Sequence, residues 1–313
     1  MTPSVIPLAR AVAIRTAEGV AAAVLGVVLV AVLVHAAPGD ALSSLPDGEA
    51  LRPELATRWG LDRPLPAAVF ATVRDAAAGD LGTSWVVRPG APVAELARDA
   101  AAASAARVAG AAALSLAVGF AAALGVGRAA ARWSALLPVF AVAHLTVAAV
   151  NAVTWTGLQR GWWGRPDWFA LPVEAGPHRE LLAVVVLAMG TGSAAWAARD
   201  LRRAADHVAA GPLGDAARGR GDDLRPLVRR HLVVPALHTL AAALPGLVAA
   251  TVIAEHVLLL PGAGAMFWDA ALARDHDLST GLALAGVVGV QAARTAADLA
   301  AAWWDPRLRE VPP

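Results

Sequence analysis

Three residue types are missing from this 313-residue chain: it has no cysteine, no tyrosine and no lysine. Without cysteine there is no disulfide framework, no thiolate nucleophile and no cysteine-ligated zinc. Without lysine there is neither a P-loop lysine nor a Schiff base, which closes the usual route to nucleotide hydrolysis. If ATP is used, a partner supplies the engine. All 26 basic residues are therefore arginines, a bias that fits a GC-rich genome better than a mechanism. Charge itself is scarce: 16% of residues are charged and 58% are hydrophobic, far from the roughly one quarter and one half of soluble domains. With a mean hydropathy of +0.56, the chain reads as an all-α, polytopic membrane protein. A net charge of +1 lends nothing to nucleic-acid binding.

Six apolar stretches are long enough to cross about 30 Å of hydrocarbon as helices: roughly 20–37, 107–127, 133–155, 181–198, 232–254 and 278–304. Arg10 and Arg15 precede the first, but its run is long and ends in His35 and Pro38 without a clear cleavage site, so it reads as a retained anchor. The expected organisation is a cytoplasmic N-terminus (1–19), a first transmembrane helix (20–37), an extracytoplasmic segment (38–99), a five-helix core (100–304) and a cytoplasmic C-terminus (305–313). The core includes a cytoplasmic loop at 199–231. On this arrangement the inner segments carry 14 arginines against 8 acidic residues and the outer ones 10 against 16, the direction of the positive-inside rule. Both termini are expected in the cytoplasm, on an inner or plasma membrane.

The outer segment is too long for a plain connection and should have structure of its own. Pro38-Gly39-Asp40 ends the first helix, because proline cannot continue it and Gly-Asp favours a turn. Residues 53–61 suit a short amphipathic helix and Asp62-Arg63-Pro64-Leu65-Pro66 an extended break. Gly79-Asp80-Leu81-Gly82-Thr83-Ser84 reads as a turn, and 92–97 as a helix leading into the second span.

The loop after the fourth span carries five arginines between Arg218 and Arg230. Asp215, Ala216, Ala217 and Arg218 can form a helical turn. Gly219 and Gly221 then permit positive φ and a reversal. Asp222 or Asp223 can cap a second helix, with Pro226 tolerated in its first turn. Leu224, Leu227, Val228 and His231 make one apolar stripe at helical spacing, while Arg225 and Arg229 share another face. Such a helix suits either a protein groove or an anionic lipid surface reached through Arg225, Arg229 and Arg230.

Charges within spans are costly and mark pairs or function. Arg294 and Asp298 stand four residues apart and are expected to pair; Arg107, near the outer start of the second span, can snorkel. His35, His144 and His238 read as helix-packing hydrogen-bond donors, and Gly190, Gly192 and Ser193 as small residues for close helix approach. Nothing forms a hydrolytic triad or a metal site, and no cofactor is expected.

Taken in order, Pro38-Gly39-Asp40, then Asp62-Arg63-Pro64, then Gly79-Asp80-Leu81-Gly82, resemble the N-terminal half of dipeptide/oligopeptide ABC permeases of the B type. The loop after span four resembles the EAA motif of importer permeases. Asp215-Ala216-Ala217 stands at the Glu-Ala-Ala position, Gly219 and Gly221 fall in the Ala-Arg-Ala-Lys-Gly element, and Arg230-His231 follows at the family's interval. Glu255, Pro261, Gly262 and Gly264, then Ala273-Arg274-Asp275, resemble the loop between spans five and six; Asp298 and Asp305-Pro306-Arg307 also fit. The stretch 133–179 carries little of the pattern. The resemblance implies a type I importer fold, an ATPase-coupling loop from Asp215 to His231, and no catalysis in this chain. The partners it implies are a second homologous permease, two ATP-binding subunits, an extracytoplasmic solute-binding protein and membrane lipids. The implied function is ATP-driven uptake of peptides or a similar small solute. The competing expectation is a stand-alone secondary transporter or channel, whose mark would be duplicated halves with broken helices.

Overall fold

The computed structural model describes residues 8–36, 42, 54–55, 62–125 and 176–305. Among these residues the secondary structure is helical: α1 Leu8–Ala36, α2 Leu65–Ala77, α3 Val93–Ala123, α4 Gly176–Gly190, α5 Ser193–Ala210, α6 Pro212–Arg220, α7 Leu224–His231, α8 Val233–Val257, α9 Ala263–Leu272 and α10 His276–Trp304. A single antiparallel bridge joins Thr83 to Pro92. Four helices are long and apolar enough to cross a membrane, at Val12–Ala36, Val93–Ala123, Val233–Val257 and His276–Trp304. Glu180–Gly190 and Ser193–Ala210 add a fifth crossing if taken as one span, bent by 54°. The expected span at 133–155 with His144 lies outside the described residues, as do Pro38, Gly39, Asp40, most of 53–61, and 306–309.

Three elements differ from the sequence expectation. The 92–97 helix and the second span are one helix, α3, because the alanine-rich stretch between them contains no breaker and alanine is the best helix former. The expected extended break at 62–66 is shorter. Pro64 takes extended φ/ψ as N-cap of α2, and Pro66 sits in the first turn, where its missing N–H costs nothing.

The fourth span is broken where sequence suggested only close packing: Gly192 is left-handed at φ 72° and starts a new helix. Hydroxyls bond to the carbonyls around the break, where hydrocarbon offers no water to satisfy a polar group left over. Thr191 Oγ1 donates to the Leu187 carbonyl at 2.6 Å and Ser193 Oγ to that of Ala188 at 3.1 Å. Ser115 Oγ of α3 lies 3.0 Å from Ser193 Oγ. Beyond the break α5 runs on to Ala210, so the first part of the expected 199–231 loop is helix.

The described residues fall into two compact units, one from Ala106–Leu260 with the residues up to Ala13 and from Arg294, the other from Ile14–Ala105 and Pro261–Ala293. In the first, Val108, Ala111 and Ala112 of α3 pack with Leu187 and Ala188 of α4 and Leu247 and Ala254 of α8. Leu201 and Ala205 of α5 form a second cluster with Val228, Leu232 and Ala236. Alanine dominates both, which lets helix backbones approach closely. In the second unit Val93 and Ala97 of α3 pack with Ala270 of α9 and Leu278 and Leu282 of α10.

Four helix ends share one closure, in which an N–H bonds back five residues across a left-handed position. The bonds are Asp80 to Asp75 after α2, Asp222 to Ala217 after α6, Leu260 to Glu255 after α8 and Asp275 to Ala270 after α9. The left-handed residue is Gly79 and Gly221 in two cases, but Leu259 (φ 53°) and Arg274 (φ 55°) in the others. A side chain at such φ costs about 1–3 kcal/mol. The two strained positions follow the buried Glu255 and precede the buried Asp275, the carboxylates that organise the sites below.

Candidate functional site

Three constellations concentrate the chain's polar chemistry. The first is the α6–α7 turn. Gly211 and Pro212 open α6, and Gly221, left-handed at φ 76°, ends it, its N–H reaching the Arg218 carbonyl. Gly219, in contrast, lies inside α6 with no positive φ, so one glycine and not two makes the reversal. Asp223 rather than Asp222 caps α7, accepting from the Arg225 N–H at 3.0 Å. Asp222 instead pairs with Arg220 at 2.8 Å, and Asp215 with Arg218 at 2.6 Å. The apolar stripe is divided. Val228 is buried against this chain's own Leu201, Ala205 and Leu232, Leu224 and Leu227 are half-buried, and Arg225, Arg229, Arg230 and His231 are exposed. Ala217 is buried and Ala216 exposed. Packing on α5 thus anchors the turn and leaves a basic outer face.

The second constellation was not legible as one in the sequence. Arg107 of α3, 3% exposed, is not snorkelling: it bridges two other helices. Its Nε and Nη2 donate to the two carboxylate oxygens of Glu180 in α4, each at 2.6 Å, and its Nη1 donates to Oε1 of Glu255 in α8 at 2.6 Å. Glu255 is fully buried, whereas the Glu180 side chain is 46% exposed. The fork geometry of guanidinium suits bidentate capture of one carboxylate plus a second partner. A deep pair with Glu255 and a shallower one with Glu180 ties three helices together. The available signal was an arginine, Arg107, in one apolar span and glutamates at the ends of two others.

The third constellation joins segments 190 residues apart. Asp275 is fully buried, and its Oδ2 accepts from the Ser84 hydroxyl at 2.6 Å and from the N–H groups of Trp85, Val86 and Val87 at 3.0, 3.0 and 3.1 Å. Ser84 Oγ in turn accepts from Arg88 N–H at 2.8 Å. A carboxylate receiving consecutive backbone N–H groups forms a nest-like anion site filled from within the chain. The approach demands glycine at 82: its φ is +74°, and a Cβ there would collide with the Asp277 carboxylate. Ser104 of α3 accepts the Ala263 N–H at 2.8 Å and so caps α9 at the Pro261-Gly262-Ala263-Gly264 segment.

Other expected positions stand apart. Arg294 is exposed, and no ion pair joins it to Asp298 among the described residues. Four residues along α10 put the two positions on one face of the helix. His35 Nδ1 lies 2.8 Å from its own helix's Ala31 carbonyl, and its ring meets His276 edge-on at 5.8 Å. His238 is exposed. Asp62, Arg63 and Pro64 are exposed and precede α2; Gly79 and Asp80 are exposed at its end. Among the described residues no three His, Asp or Glu side chains converge on a metal site.

Long apolar helices, tied together by the ionic triad of Arg107, Glu180 and Glu255, define a polytopic membrane protein of the all-α class. A sequence-family model described as "Binding-protein-dependent transport system inner membrane component" matches residues 133–310. That is more than half of the chain, and the protein belongs to this family. The matched region begins at Trp133 and so takes in the stretch that carries little of the peptide-type pattern. No curated protein matches the sequence. Membership makes the chain a membrane-spanning permease component of an ABC-type importer, not a catalytic enzyme and not a transporter standing alone.

Proposed function

We propose that this permease subunit takes up peptides or a similar small solute, and that the turn from Asp215 to His231 is where ATP-binding subunits grip it. The observation that carries the coupling reading is the division of α7: Val228 is anchored in the chain's own core while Arg225, Arg229, Arg230 and His231 face outward. A lever must be rigid towards its own bundle and open towards its driver, and this turn has both properties. The ordered likeness to dipeptide/oligopeptide permeases supports the cargo class. In the working assembly a homologous permease, two ATP-binding subunits and an extracytoplasmic solute-binding protein surround the chain. Closure of the ATPases moves α6 and α7 and switches the spans from inward-open to outward-open.

The test is Gly221→Val. A β-branched residue at φ 76° meets about 1–3 kcal/mol of strain, on a turn whose Cβ position is otherwise open space. Membrane abundance should stay normal, co-purification with the ATPase subunits should weaken or vanish, and uptake should be lost even with saturated binding protein. Full uptake with the ATPases still bound would remove the coupling assignment and leave α7 as a lipid-surface helix.

The orientation follows from the inner excess of arginine, and puts both termini and the α6–α7 turn in the cytoplasm. A reporter fused after Asp80 should then register outside and one fused after Gly221 inside. Both on one side would refute it.

A further inference from the structure

Within the second unit α2 has two unlike faces. On one side Ala68 is buried, and Thr72 and Asp75 line a polar cavity of about 550 Å³. On the other side Pro66, Val69, Phe70 and Val73 follow at i, i+3, i+4 and i+7, the spacing of a single helical stripe. This stripe, with Val28 and Val32 of α1, lines an apolar groove of about 440 Å³. The groove is open, since Phe70 is 69% exposed. A contiguous apolar patch of this kind marks a membrane or partner surface.

The position of the groove along α1 says which. Glu18 is the last carboxylate or guanidinium residue of α1. The run 19–36 that follows measures about 27 Å at 1.5 Å per residue, close to the roughly 30 Å of hydrocarbon. Val32 and Val28 therefore lie about 6 and 12 Å inward from Ala36, within the hydrocarbon and not beyond it. Leu25 and Leu29, three residues before them and their neighbours on the helix surface, are exposed. The α1 wall of the groove thus continues into the open face of a membrane span. The stripe of α2 shares the groove with Val28 and Val32, so α2 reaches the same depth. Arg74, one turn beyond Phe70 on the flank of the stripe, is exposed and paired with Asp75, and its long stem allows the charge to stay among headgroups.

We propose that α2 is a membrane-embedded interfacial helix, lying in the leaflet at the C-terminal end of α1, with phospholipid acyl chains filling the α1–α2 groove against Phe70. A helix with one apolar and one polar face settles at the boundary between headgroups and acyl chains. The polar cavity side then faces away from the hydrocarbon. The proposal needs neither ATPase docking nor a particular orientation of the termini, so it stands or falls apart from the importer reading.

The experiment uses the absence of cysteine, because one introduced thiol carries one label. The full chain in phosphatidylcholine nanodiscs bears a nitroxide at Phe70→Cys. Its collisions with molecular oxygen, which concentrates among acyl chains, are compared with those with a water-soluble nickel chelate. Leu25→Cys on the open face of α1 is the acyl reference, and Arg88→Cys, exposed in the 84–90 turn, is the aqueous one. The oxygen-to-nickel collision ratio at position 70 should match that at 25 and exceed that at 88 severalfold. Thermal unfolding reports whether each labelled variant is folded; if Phe70→Cys is not, Leu65→Cys at the edge of the same groove takes its place. A ratio at position 70 equal to that at 88 overturns the proposal. So does low access to both reagents, which would mean that protein covers the face. Nickel access that is high in the chain alone and falls when partner proteins are added would make the face a protein interface, and overturns it equally.

Discussion

Replacing Glu255 by alanine should cost about 2–4 kcal/mol of stability and lower the amount of protein in the membrane. Glu255 is fully buried and holds one arm of Arg107, itself 3% exposed. Removing it takes the Glu255 acceptor from one guanidinium arm inside the α3–α4–α8 packing, while the bidentate pair with Glu180 persists, and it leaves the volume of the missing side chain unfilled; a buried charged donor deprived of its acceptor and a new cavity both destabilise. Glu255→Gln keeps an acceptor oxygen and should lose about half as much. The decisive comparison is the double change Arg107→Leu with Glu255→Leu, which removes both buried charges at similar volume. It leaves Glu180 without this arginine, but the Glu180 side chain is 46% exposed and can be hydrated. Membrane abundance and thermal unfolding in detergent should recover most of the single-variant loss. A double variant as impaired as Glu255→Ala would show that the triad's role is not structural neutralisation. Recovered abundance with uptake still absent would place the triad in transport itself.

Asp275→Ala should be comparably damaging for a different reason. One oxygen accepts from the Ser84 hydroxyl and three consecutive backbone N–H groups. Backbone donors cannot be mutated away or turned to another partner, and each buried one left unpaired costs about 1–3 kcal/mol. A loss of at least about 3 kcal/mol is expected, seen as lowered thermal stability and faster protease cleavage between Ser84 and Pro92. Asp275→Asn retains one acceptor oxygen without the charge and should fall in between. Ser84→Ala removes one donor but also the acceptor of the Arg88 N–H, and should cost about 1–2 kcal/mol. Wild-type stability in Asp275→Ala would mean that the 84–90 turn holds itself.

Much of this protein was set by sequence alone. Composition compelled a membrane protein because 58% hydrophobic and 16% charged residues leave too little polar surface for water. The absence of lysine closed the usual route to nucleotide hydrolysis, and the order of short motifs from Pro38 to Arg307 resembled importer permeases, the broader family to which the chain belongs. Local rules also placed the α6–α7 turn, since a glycine reversal followed by an aspartate cap is chemistry between near neighbours.

Only the tertiary structure decided the rest, and for one reason: the deciding partners are far apart in the chain. Arg107 reads as a lone cation until two other helices bring Glu180 and Glu255 to its fork, 73 and 148 residues on. Asp275 reads as a turn aspartate until it meets Ser84 across 191 residues. Arg294 and Asp298, one helical turn apart, seemed a pair because proximity along a helix is legible, but spacing alone does not say which partner a long side chain will choose. The break at Gly192 needed the same knowledge, for glycine permits either close packing or a bend. What selects the bend is the set of hydroxyls from Thr191, Ser193 and, across the bundle, Ser115 that takes up the polar groups there. Sequence determines which groups must be satisfied in a medium without water; the packing of helices determines by whom.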